Sequence, residues 1–542
     1  MEERDMSDLV TGGEAVVAAL EALGVECIFG VPSQQNLALF DALSKSTRIR
    51  VIGTRNEAGA AHAADGYARA TGRLGVAIVS TGPGTANAVN GLYEAGFASS
   101  PVMLITTQID RVHLGKHKAF IHDAEGQFAM LQSVTRRTAR VLHGHQIRET
   151  LLAVAEDILS GRPQPGAIEI PTDLLSARIP ASTAVPRPLQ HDAPNPAMLG
   201  AVADLIAKAK RPLLWLGGGC VRGDAEEAVR AFVEHLGAPV VTTLNGRSAL
   251  ATDHPLAVGS ATSYPAFRKL LDAADLVVAV GTRFQAVASG FWTLPLAGKL
   301  VQIDIEPAMI GRNFPVLAGV VGDAGETLDA LRGLVPGGTV DPEFIRLGAD
   351  VRDELHADST DRIGPDHARL CDIADAVLPH DRIVVCDATM VGNTWGSYRL
   401  PIRNFRGFTY STSLAIGVAL PVAIGAAIGS GRRTLAIHGD GGVMLNVGEL
   451  ATAVETRAPM TLLVFNNRGY GVLKILQEAA GVTPYAVDLH TPDFVGLGKA
   501  MGMPSERVDN PDDFQAALER SVRIDGPSLI EVDLAMMGEP RL

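Results

Sequence analysis

Two short apolar runs near the C-terminus each lead into a polar side chain, and this pattern constrains the fold most strongly. Residues 434–438 precede Asp440, and residues 460–465 precede Asn467. Apolar runs of this length, followed by glycine and asparagine, predict buried strands of a parallel sheet. Because ligands of open α/β sheets bind beyond the carboxyl ends of the strands, we expect Asp440 and Asn467 to lie close together.

The two side chains suit a magnesium ion that carries phosphate. Mg²⁺ prefers oxygen ligands, and a carboxylate, an amide oxygen and a backbone carbonyl can hold it while phosphates complete its shell. Gly439 and Gly441 flank Asp440, so the backbone can approach the phosphates closely. A helix predicted over residues 445–455 would point its N-terminus at the same anion. The pattern therefore predicts a magnesium-diphosphate site.

The rest of the chain predicts an α/β protein with three domains. Its 542 residues suffice for three domains of common size, and helical patterns alternate with short apolar strands, which is typical of parallel sheets covered on both faces. A proline-rich stretch at 184–196 and a polar connection at 336–366 indicate linkers. We therefore predict domains at residues 1–183, 184–340 and 341–542.

Composition excludes several other classes of protein. The net charge is −13 and no run of Lys or Arg occurs, which argues against a nucleic-acid partner. No apolar run is long enough to span a membrane, and the acidic N-terminus does not resemble a signal peptide. The cysteines show neither zinc-site nor disulfide spacing, so we expect a cytoplasmic protein. They are Cys27, Cys220, Cys371 and Cys386.

The segment from Gly439 to Gly471 resembles the thiamine diphosphate motif of the 2-oxo acid decarboxylase and acetolactate synthase superfamily. Residues 55–69, 81–87 and 420–426 resemble three further segments of that superfamily, so the resemblance covers nearly the whole chain. It implies three doubly wound parallel-sheet domains. The first and third, similar to each other, would bind the pyrimidine and the diphosphate of the cofactor, and the middle one would be Rossmann-like.

The resemblance also assigns the catalytic carboxylate. Glu57 looks like the family's activating glutamate, which hydrogen-bonds N1′ of the aminopyrimidine and so promotes formation of the C2 ylid. The small residues that follow Glu57 predict a tightly packed helix start, where this carboxylate would be buried. Read without the motif, the same glutamate would be a helix-capping or surface residue.

Further cofactor contacts follow from the same resemblance. Ile416 stands where the family places a large aliphatic side chain that props the cofactor into a V shape, although a plain core isoleucine is the alternative. The metal ligands would be Asp440, Asn467 and the carbonyl of Gly469. The remaining predicted cofactor-binding residues are Pro32, Gly82, Asn87, Gly439, Gly441, Gly442 and Tyr470.

Two polar residues are candidates for contact with the substrate. Gln34 lies in a segment that resembles the family's first active-site loop, and His122 lies in the loop where many decarboxylases place catalytic histidines. A titratable imidazole there could relay protons during turnover. Both residues are also compatible with ordinary solvated loop positions.

These features favour a thiamine- and magnesium-dependent decarboxylase or carboligase of a 2-oxo acid. Acetolactate synthases follow the Asn-Asn motif with Gln-Trp, and residues 472–478 contain no such pair. This departure counts against an acetolactate synthase large subunit, which is the second candidate. A flavin-linked oxidase is a third, because glycines at 217–219 and Gly281 follow strands of the middle domain and leave FAD binding uncertain. A regulatory partner without catalysis is the fourth, and Glu57 argues against it. The resemblance implies a homodimer or homotetramer with active sites at the subunit interface.

Overall fold

The computed structural model describes residues 9–189, 193–260 and 262–541. These residues form two compact units. The first unit contains residues 9–189 together with the later segments 420–431 and 446–458. The second contains the rest of the described chain, and each unit is described below by itself.

The first unit is built on a six-stranded parallel sheet. The strands of this unit, six in that sheet and two outside it, are β1 (Leu9–Thr11), β2 (Cys27–Gly30), β3 (Arg50–Gly53), β4 (Gly75–Val79), β5 (Val102–Gln108), β6 (Arg137–Arg140), β7 (Gly166–Pro171) and β8 (Arg178–Pro180). Its helices are α1 (Gly12–Ala22), α2 (Leu37–Ser44), α3 (Glu57–Thr71), α4 (Pro83–Ala98), α5 (Gln127–Val134), α6 (Ile147–Leu159) and α7 (Thr172–Ser176). The strand order is β3-β2-β4-β5-β7-β6, while β1 and β8 pair antiparallel outside this sheet.

The second unit begins with another six-stranded parallel sheet. Its strands are β9 (Pro212–Leu216), β10 (Val240–Thr242), β11 (Ala257–Gly259), β12 (Leu276–Val280), β13 (Leu300–Asp304) and β14 (Ala318–Val321). The helices are α8 (Pro196–Lys208), α9 (Gly218–Arg222), α10 (Glu226–Leu236), α11 (Pro265–Ala273), α12 (Ala324–Leu334) and α13 (Pro342–Ile363). The order β11-β10-β9-β12-β13-β14 is that of dinucleotide-binding folds, as predicted for the middle domain.

A third parallel sheet completes the second unit. Its strands are β15 (Ile383–Cys386), β16 (Phe408–Tyr410), β17 (Thr434–Gly439), β18 (Met460–Asn466), β19 (Ser505–Val508) and β20 (Ser528–Asp533). The C-terminal helices are α14 (Pro365–Val377), α15 (Ala419–Ser430), α16 (Asp440–Val443), α17 (Glu449–Thr456), α18 (Gly471–Ala479), α19 (Phe494–Ala500), α20 (Pro511–Val522) and α21 (Leu534–Met537), and α17 with nearly all of α15 belongs to the first unit. None of the helices in the described residues is both long and apolar enough to cross a membrane.

The first and third sheets share one topology. The third sheet has the order β16-β15-β17-β18-β20-β19, so counting the six strands of either sheet along the chain gives the order 2-1-3-4-6-5. Strands β4, β5 and β18 are buried along their whole length, as expected for parallel strands covered on both faces. The predicted α/β class and the likeness of the first and third domains are confirmed.

Helix α3 shows how the sequence sets a local structure near the predicted site. The Asn56 side chain accepts a hydrogen bond from the N–H of Ala58 at 2.8 Å and caps the helix, and Gly72 ends it with φ of 74°. Small residues let other segments of the first unit approach its backbone. A β-carbon on Gly59 would lie 2.3 Å from Glu449 Oε1, and one on Gly66 would lie 2.0 Å from the carbonyl oxygen of Val422.

Two predicted segments differ from the structure. The connection at 336–366 is mostly the 22-residue helix α13, because its buried positions repeat at helical spacing between a proline at its start and Gly364. The helix predicted over 445–455 begins at Glu449, and the short helix α16 begins directly at Asp440 instead. Residues 184–189 and 193–195 of the linker predicted at 184–196 form no helix or strand, its last residue begins α8, and 190–192 lie outside the described residues.

Helices α3 and α4 are joined by a buried ion cluster. Arg69 is 3% exposed, and its guanidinium donates to Asp65 Oδ1 at 2.9 Å and to Glu94 Oε1 at 2.7 Å. Burial disfavours the charged form of Arg69, but the two carboxylates more than offset this and raise its pKa overall. Both carboxylates are fully buried, so their charges depend on this guanidinium.

We predict that Arg69→Met destabilises the protein strongly. The substitution leaves two buried carboxylates without their cation, which costs about 3–5 kcal/mol. Lys45→Met is the matched control, because Lys45 pairs with Asp41 on the surface of the same unit, where an ion pair contributes about 0–1 kcal/mol. Urea denaturation of the full chain measures both, and equal midpoints for the two variants would contradict the prediction.

Candidate active site

The predicted residues of the first unit follow four adjacent strands. Gln34 comes after β2, Glu57 after β3, Gly82 after β4 and His122 after β5. These strands are parallel and lie in the order β3-β2-β4-β5. All four residues therefore lie at the carboxyl edge of one sheet, where open α/β folds bind their ligands.

Glu57 is the first residue of α3, and the structure brings it to Asn87. The Asn87 amide nitrogen donates to Glu57 Oε2 at 2.9 Å. A β-carbon on Gly84 would lie 3.2 Å from Glu57 Oε1, so this glycine leaves room for the carboxylate. Contrary to the expected burial, Glu57 is only partly buried, since its helix start is open at the sheet edge.

Gly82 and His122 meet through backbone atoms. Gly82 has φ of +67°, and a β-carbon there would lie 2.8 Å from the carbonyl oxygen of His122. The Thr81 hydroxyl donates to the same oxygen at 3.2 Å. The His122 side chain is exposed, and Gly82, His122 and Gln127 help line a cavity of about 530 Å³.

Gln127 is a functional candidate that the sequence analysis missed. It is 1% exposed, and its Oε1 accepts from the N–H of Gly82 at 2.7 Å and from the Thr81 hydroxyl at 3.0 Å. Its amide nitrogen donates to Glu169 at 2.8 Å, and Arg140 donates to the same carboxylate at 2.5 Å. This network fixes the Gly82 turn. No sequence spacing indicates it, because the partners are 45 residues apart.

Pro32 and Gln34 lie on an exposed but well-defined loop. The Asn36 side chain sets its shape, since Oδ1 accepts from the N–H of Ser33 at 2.7 Å and the amide nitrogen donates to the carbonyl of Val31 at 3.1 Å. Asn36 is buried, whereas Gln34 is exposed. The loop therefore presents Gln34 to solvent at the same sheet edge as Glu57.

The second unit repeats this arrangement at the third sheet of the protein, which contains β15 to β20. Asp387 follows β15, Ile416 follows β16, Asp440 follows β17 and Asn467 follows β18. All four line one cavity of about 70 Å³. The other predicted residues on its wall are Gly439, Gly441, Gly442, Gly469 and Tyr470. The structure thus brings together every cofactor-binding residue predicted for this part of the chain.

Asp440 is a buried carboxylate at the start of α16. It is 1% exposed, and its Oδ2 accepts from the N–H of Gly469 at 2.9 Å. Burial raises the pKa of Asp440 to about 6, and backbone N–H groups of the cavity, that of Gly469 first, only partly counteract this rise. A cation bound here would relieve the cost of burying the charge.

The amide group of Asn467 has a defined orientation. Its nitrogen donates to Glu539 Oε1 at 3.0 Å and lies 3.9 Å from the Met390 sulfur, so its oxygen is the atom suited to a metal. Within the described residues no group of three or more His, Cys, Asp or Glu side chains could hold a metal ion. The set of one carboxylate, one amide and one carbonyl fits Mg²⁺ better than zinc.

Glycines let the backbone of this cavity approach neighbouring side chains closely. A β-carbon on Gly439 would lie 2.7 Å from the Thr389 hydroxyl, one on Gly441 2.7 Å from the Tyr470 ring, and one on Gly471 2.1 Å from the Asn467 amide. Side chains at these glycines would collide with Thr389, Tyr470 and Asn467, which also line the cavity. Such a cradle suits a diphosphate held through backbone groups.

Comparison with known proteins identifies the family. Residues 10–130 match the N-terminal TPP binding domain of thiamine pyrophosphate enzymes, residues 199–331 the central domain and residues 391–532 the C-terminal TPP binding domain. The chain belongs to the thiamine pyrophosphate enzyme family. It is a thiamine diphosphate-dependent enzyme of the decarboxylase and carboligase class, so the predicted family and the predicted thiamine diphosphate are confirmed.

Relatives of this thiamine pyrophosphate enzyme are named either as a decarboxylase or as acetolactate synthases. A probable 2-ketoarginine decarboxylase of Pseudomonas aeruginosa is 34% identical over 96% of this chain and 94% of its own. A probable acetolactate synthase large subunit of Methanocaldococcus jannaschii is 32% identical over 96% and 91%. The acetolactate synthase large subunit of Corynebacterium glutamicum is 30% identical over 96% and 86%.

The glycines of the middle domain that left FAD binding open, at 217–219 and 281, pack against one another in this thiamine pyrophosphate enzyme. The N–H of Gly219 donates to the carbonyl of Gly281 at 2.9 Å. A β-carbon on Gly217 would lie 2.2 Å from the same carbonyl oxygen. Close backbone packing at the ends of β9 and β12 therefore accounts for these glycines without a ligand.

We predict that Asp440→Ala abolishes tight binding of thiamine diphosphate. The substitution removes the single carboxylate of the predicted metal set, so the affinity measured by calorimetry with Mg²⁺ should fall by more than about 100-fold. Asp509→Ala, at an exposed position of the same unit, should bind like the parent. Unchanged affinity in Asp440→Ala would show that the metal site lies elsewhere.

Proposed function

We propose that this enzyme decarboxylates a 2-oxo acid larger than pyruvate, with thiamine diphosphate and Mg²⁺ as cofactors. The observation that carries the proposal is the cavity at the third sheet, where Asp440, Asn467 and Gly469 converge beside Ile416. The donor set suits a metal-bound diphosphate, and the relative named as a 2-ketoarginine decarboxylase supports the reaction.

In the proposed mechanism the residues of the chain bind, orient and move protons. Bound thiamine diphosphate supplies a nucleophilic carbon and accepts the electrons released by decarboxylation. Glu57 would exchange a proton at N1′ of the aminopyrimidine, and its hydrogen bond from Asn87 holds the carboxylate oriented for that role. Ile416 would contact the cofactor, and His122 with Gln34 would contact the substrate.

Apolar side chains favour a substrate with a long side chain. Val472 and Leu473 line the same cavity as Asp440, and Leu473 is 48% exposed. According to the resemblance, acetolactate synthases follow the Asn-Asn motif with Gln-Trp, a pair that residues 472–478 of this chain lack. We therefore propose an extended 2-oxo acid, and the named relative makes a guanidino-bearing acid the first to test.

Carboligation of the acetolactate type is the second candidate. Relatives named as acetolactate synthase large subunits are 30–32% identical over at least 96% of this chain. Both reactions share the first decarboxylation and differ in what the resulting carbanion attacks. A product analysis with and without a second carbonyl acceptor therefore separates them.

We further propose a homodimer or a homotetramer with active sites at subunit interfaces. The resemblance places Glu57 of one subunit in the site that holds Asp440 of its partner. Exposed aromatic side chains on α4 support an interface, because Tyr93 is 52% and Phe97 40% exposed, with their rings stacked 6.0 Å apart. We also propose a cytoplasmic location, since the four cysteines are free and buried.

A panel of 2-oxo acids tests the proposed reaction. We expect CO₂ release from acids with long side chains, a guanidino-bearing one included, to exceed release from pyruvate in kcat/KM. The release should require both thiamine diphosphate and Mg²⁺. Efficient turnover of pyruvate to acetolactate, with little release from larger acids, would favour the second candidate instead.

We predict that Glu57→Gln binds the cofactor but fails in catalysis. Glutamine keeps the size of the side chain but cannot exchange a proton at N1′, and acid–base roles contribute typically about 10²–10⁴-fold. Hydrogen–deuterium exchange at C2 of the bound cofactor should slow by that factor, whereas cofactor affinity changes little. Exposed Glu26→Gln serves as the control. Exchange as fast as in the parent would remove Glu57 from the mechanism.

A further inference from the structure

Asp387 is a buried carboxylate at the end of β15 whose oxygens bind backbone N–H groups. It is 1% exposed. Its Oδ2 accepts from the N–H of Gly417 at 2.9 Å, and its Oδ1 accepts from those of Val418 at 3.1 Å and Ala419 at 3.4 Å. These donors directly follow Ile416 in the sequence, so Asp387 fixes the segment that carries this isoleucine.

The same carboxylate also contacts the segment that follows β17. A β-carbon on Gly442 would lie 2.5 Å from Asp387 Oδ2, so this glycine lets the turn at residues 439–442, here called the diphosphate turn, approach the carboxylate. The Nδ1 atom of buried His438, just before that turn, lies 3.2 Å from the same oxygen. Asp387 therefore connects β15 to the Ile416 segment and to the segment around Asp440.

Gly417 shows how little freedom the Ile416 segment has. Its φ is +90°, a conformation that favours glycine, and a β-carbon there would lie 3.0 Å from the carbonyl oxygen of Gly442. The segment thus packs backbone to backbone against the diphosphate turn. Ile416 itself is half-buried and lines the cavity.

We propose that Asp387 is a positioning residue that fixes the distance between Ile416 and the diphosphate turn. A carboxylate accepts several N–H bonds at once, and charge-assisted bonds of this kind are the strong ones. An amide in its place would turn a donor toward the N–H groups. The proposal rests on the proposed function, in which Ile416 contacts the bound cofactor.

A double-mutant cycle between Asp387→Asn and Ile416→Ala tests this inference. A misplacement of about 1 Å in an active site can cost roughly 100-fold in rate, so Asp387→Asn should slow C2 exchange at saturating cofactor by about that factor. If Asp387 acts through Ile416, the same change in the Ile416→Ala background should slow exchange much less. Equal effects in both backgrounds, or parent-like exchange in Asp387→Asn, would overturn the proposal.

A control separates positioning from general stability. Asp375 also accepts hydrogen bonds in the second unit, from Arg382 at 2.7 Å and Arg403 at 2.8 Å, but it does not line the cavity. Asp375→Asn should lower the melting temperature and leave C2 exchange unchanged. If Asp387→Asn does not fold, Asp387→Glu keeps the charge beside His438, displaces the carboxylate and enters the same cycle with the same expected outcomes.

The failure of this inference differs from failure of the proposed function. If the parent enzyme does not accelerate C2 exchange at all, the proposed chemistry is wrong and the positioning role falls with it. If the parent accelerates exchange and the cycle is additive, the chemistry stands and Asp387 is only a structural carboxylate.

Discussion

The parallel arrangement of strands determines where the chemistry of this enzyme lies. A crossover connection, usually a helix, joins each strand to the next parallel strand. All strands of a sheet therefore end at the same edge, and residues just beyond those ends become neighbours. In the first sheet this rule gathers Gln34, Glu57, Gly82 and His122. In the third sheet, which has the same strand order, it gathers four other positions, with Asp440 in the place that corresponds to Gly82.

Buried side chains that accept hydrogen bonds from backbone N–H groups fix the loops at the carboxyl edges of the first and third sheets. Asp387 serves the third sheet in this way and Gln127 the first. Glu449 is a further case, because its Oε1 accepts from the N–H groups of Arg55 and Asn56 at 3.0 Å each, just before Glu57. Burial raises the pKa of Glu449, and the hydrogen bonds from Thr452, Arg55 and Asn56 only partly counteract this rise. Such networks position neighbouring residues when every member is satisfied.

The sequence predicts the strands around Asp440 and Asn467 because apolar runs and glycine punctuation are local signals. It does not predict Asp387, since the donors to this carboxylate lie 30–32 residues away and only the folded sheet brings them near. Residues 342–363 show a different failure. Glycine and proline at both ends suggest a linker, yet buried Phe344, Val351 and Leu355 follow a helical repeat that defines α13. The partial exposure of Glu57 was likewise not predictable, because small neighbours in sequence do not determine what covers a sheet edge.

We propose that the edges of the first and third sheets supply two halves of one active site, with Glu57 from one subunit and Asp440 from its partner. Mixing Glu57→Gln chains with Asp440→Ala chains tests this directly after dissociation and reassociation. In a two-fold symmetric dimer, random mixing in equal amounts restores about a quarter of the sites to the parent composition. The account predicts CO₂ release near that fraction of the parent rate from two inactive variants. Mixtures that stay as inactive as either variant alone, despite exchange of subunits shown by native mass spectrometry, would contradict it.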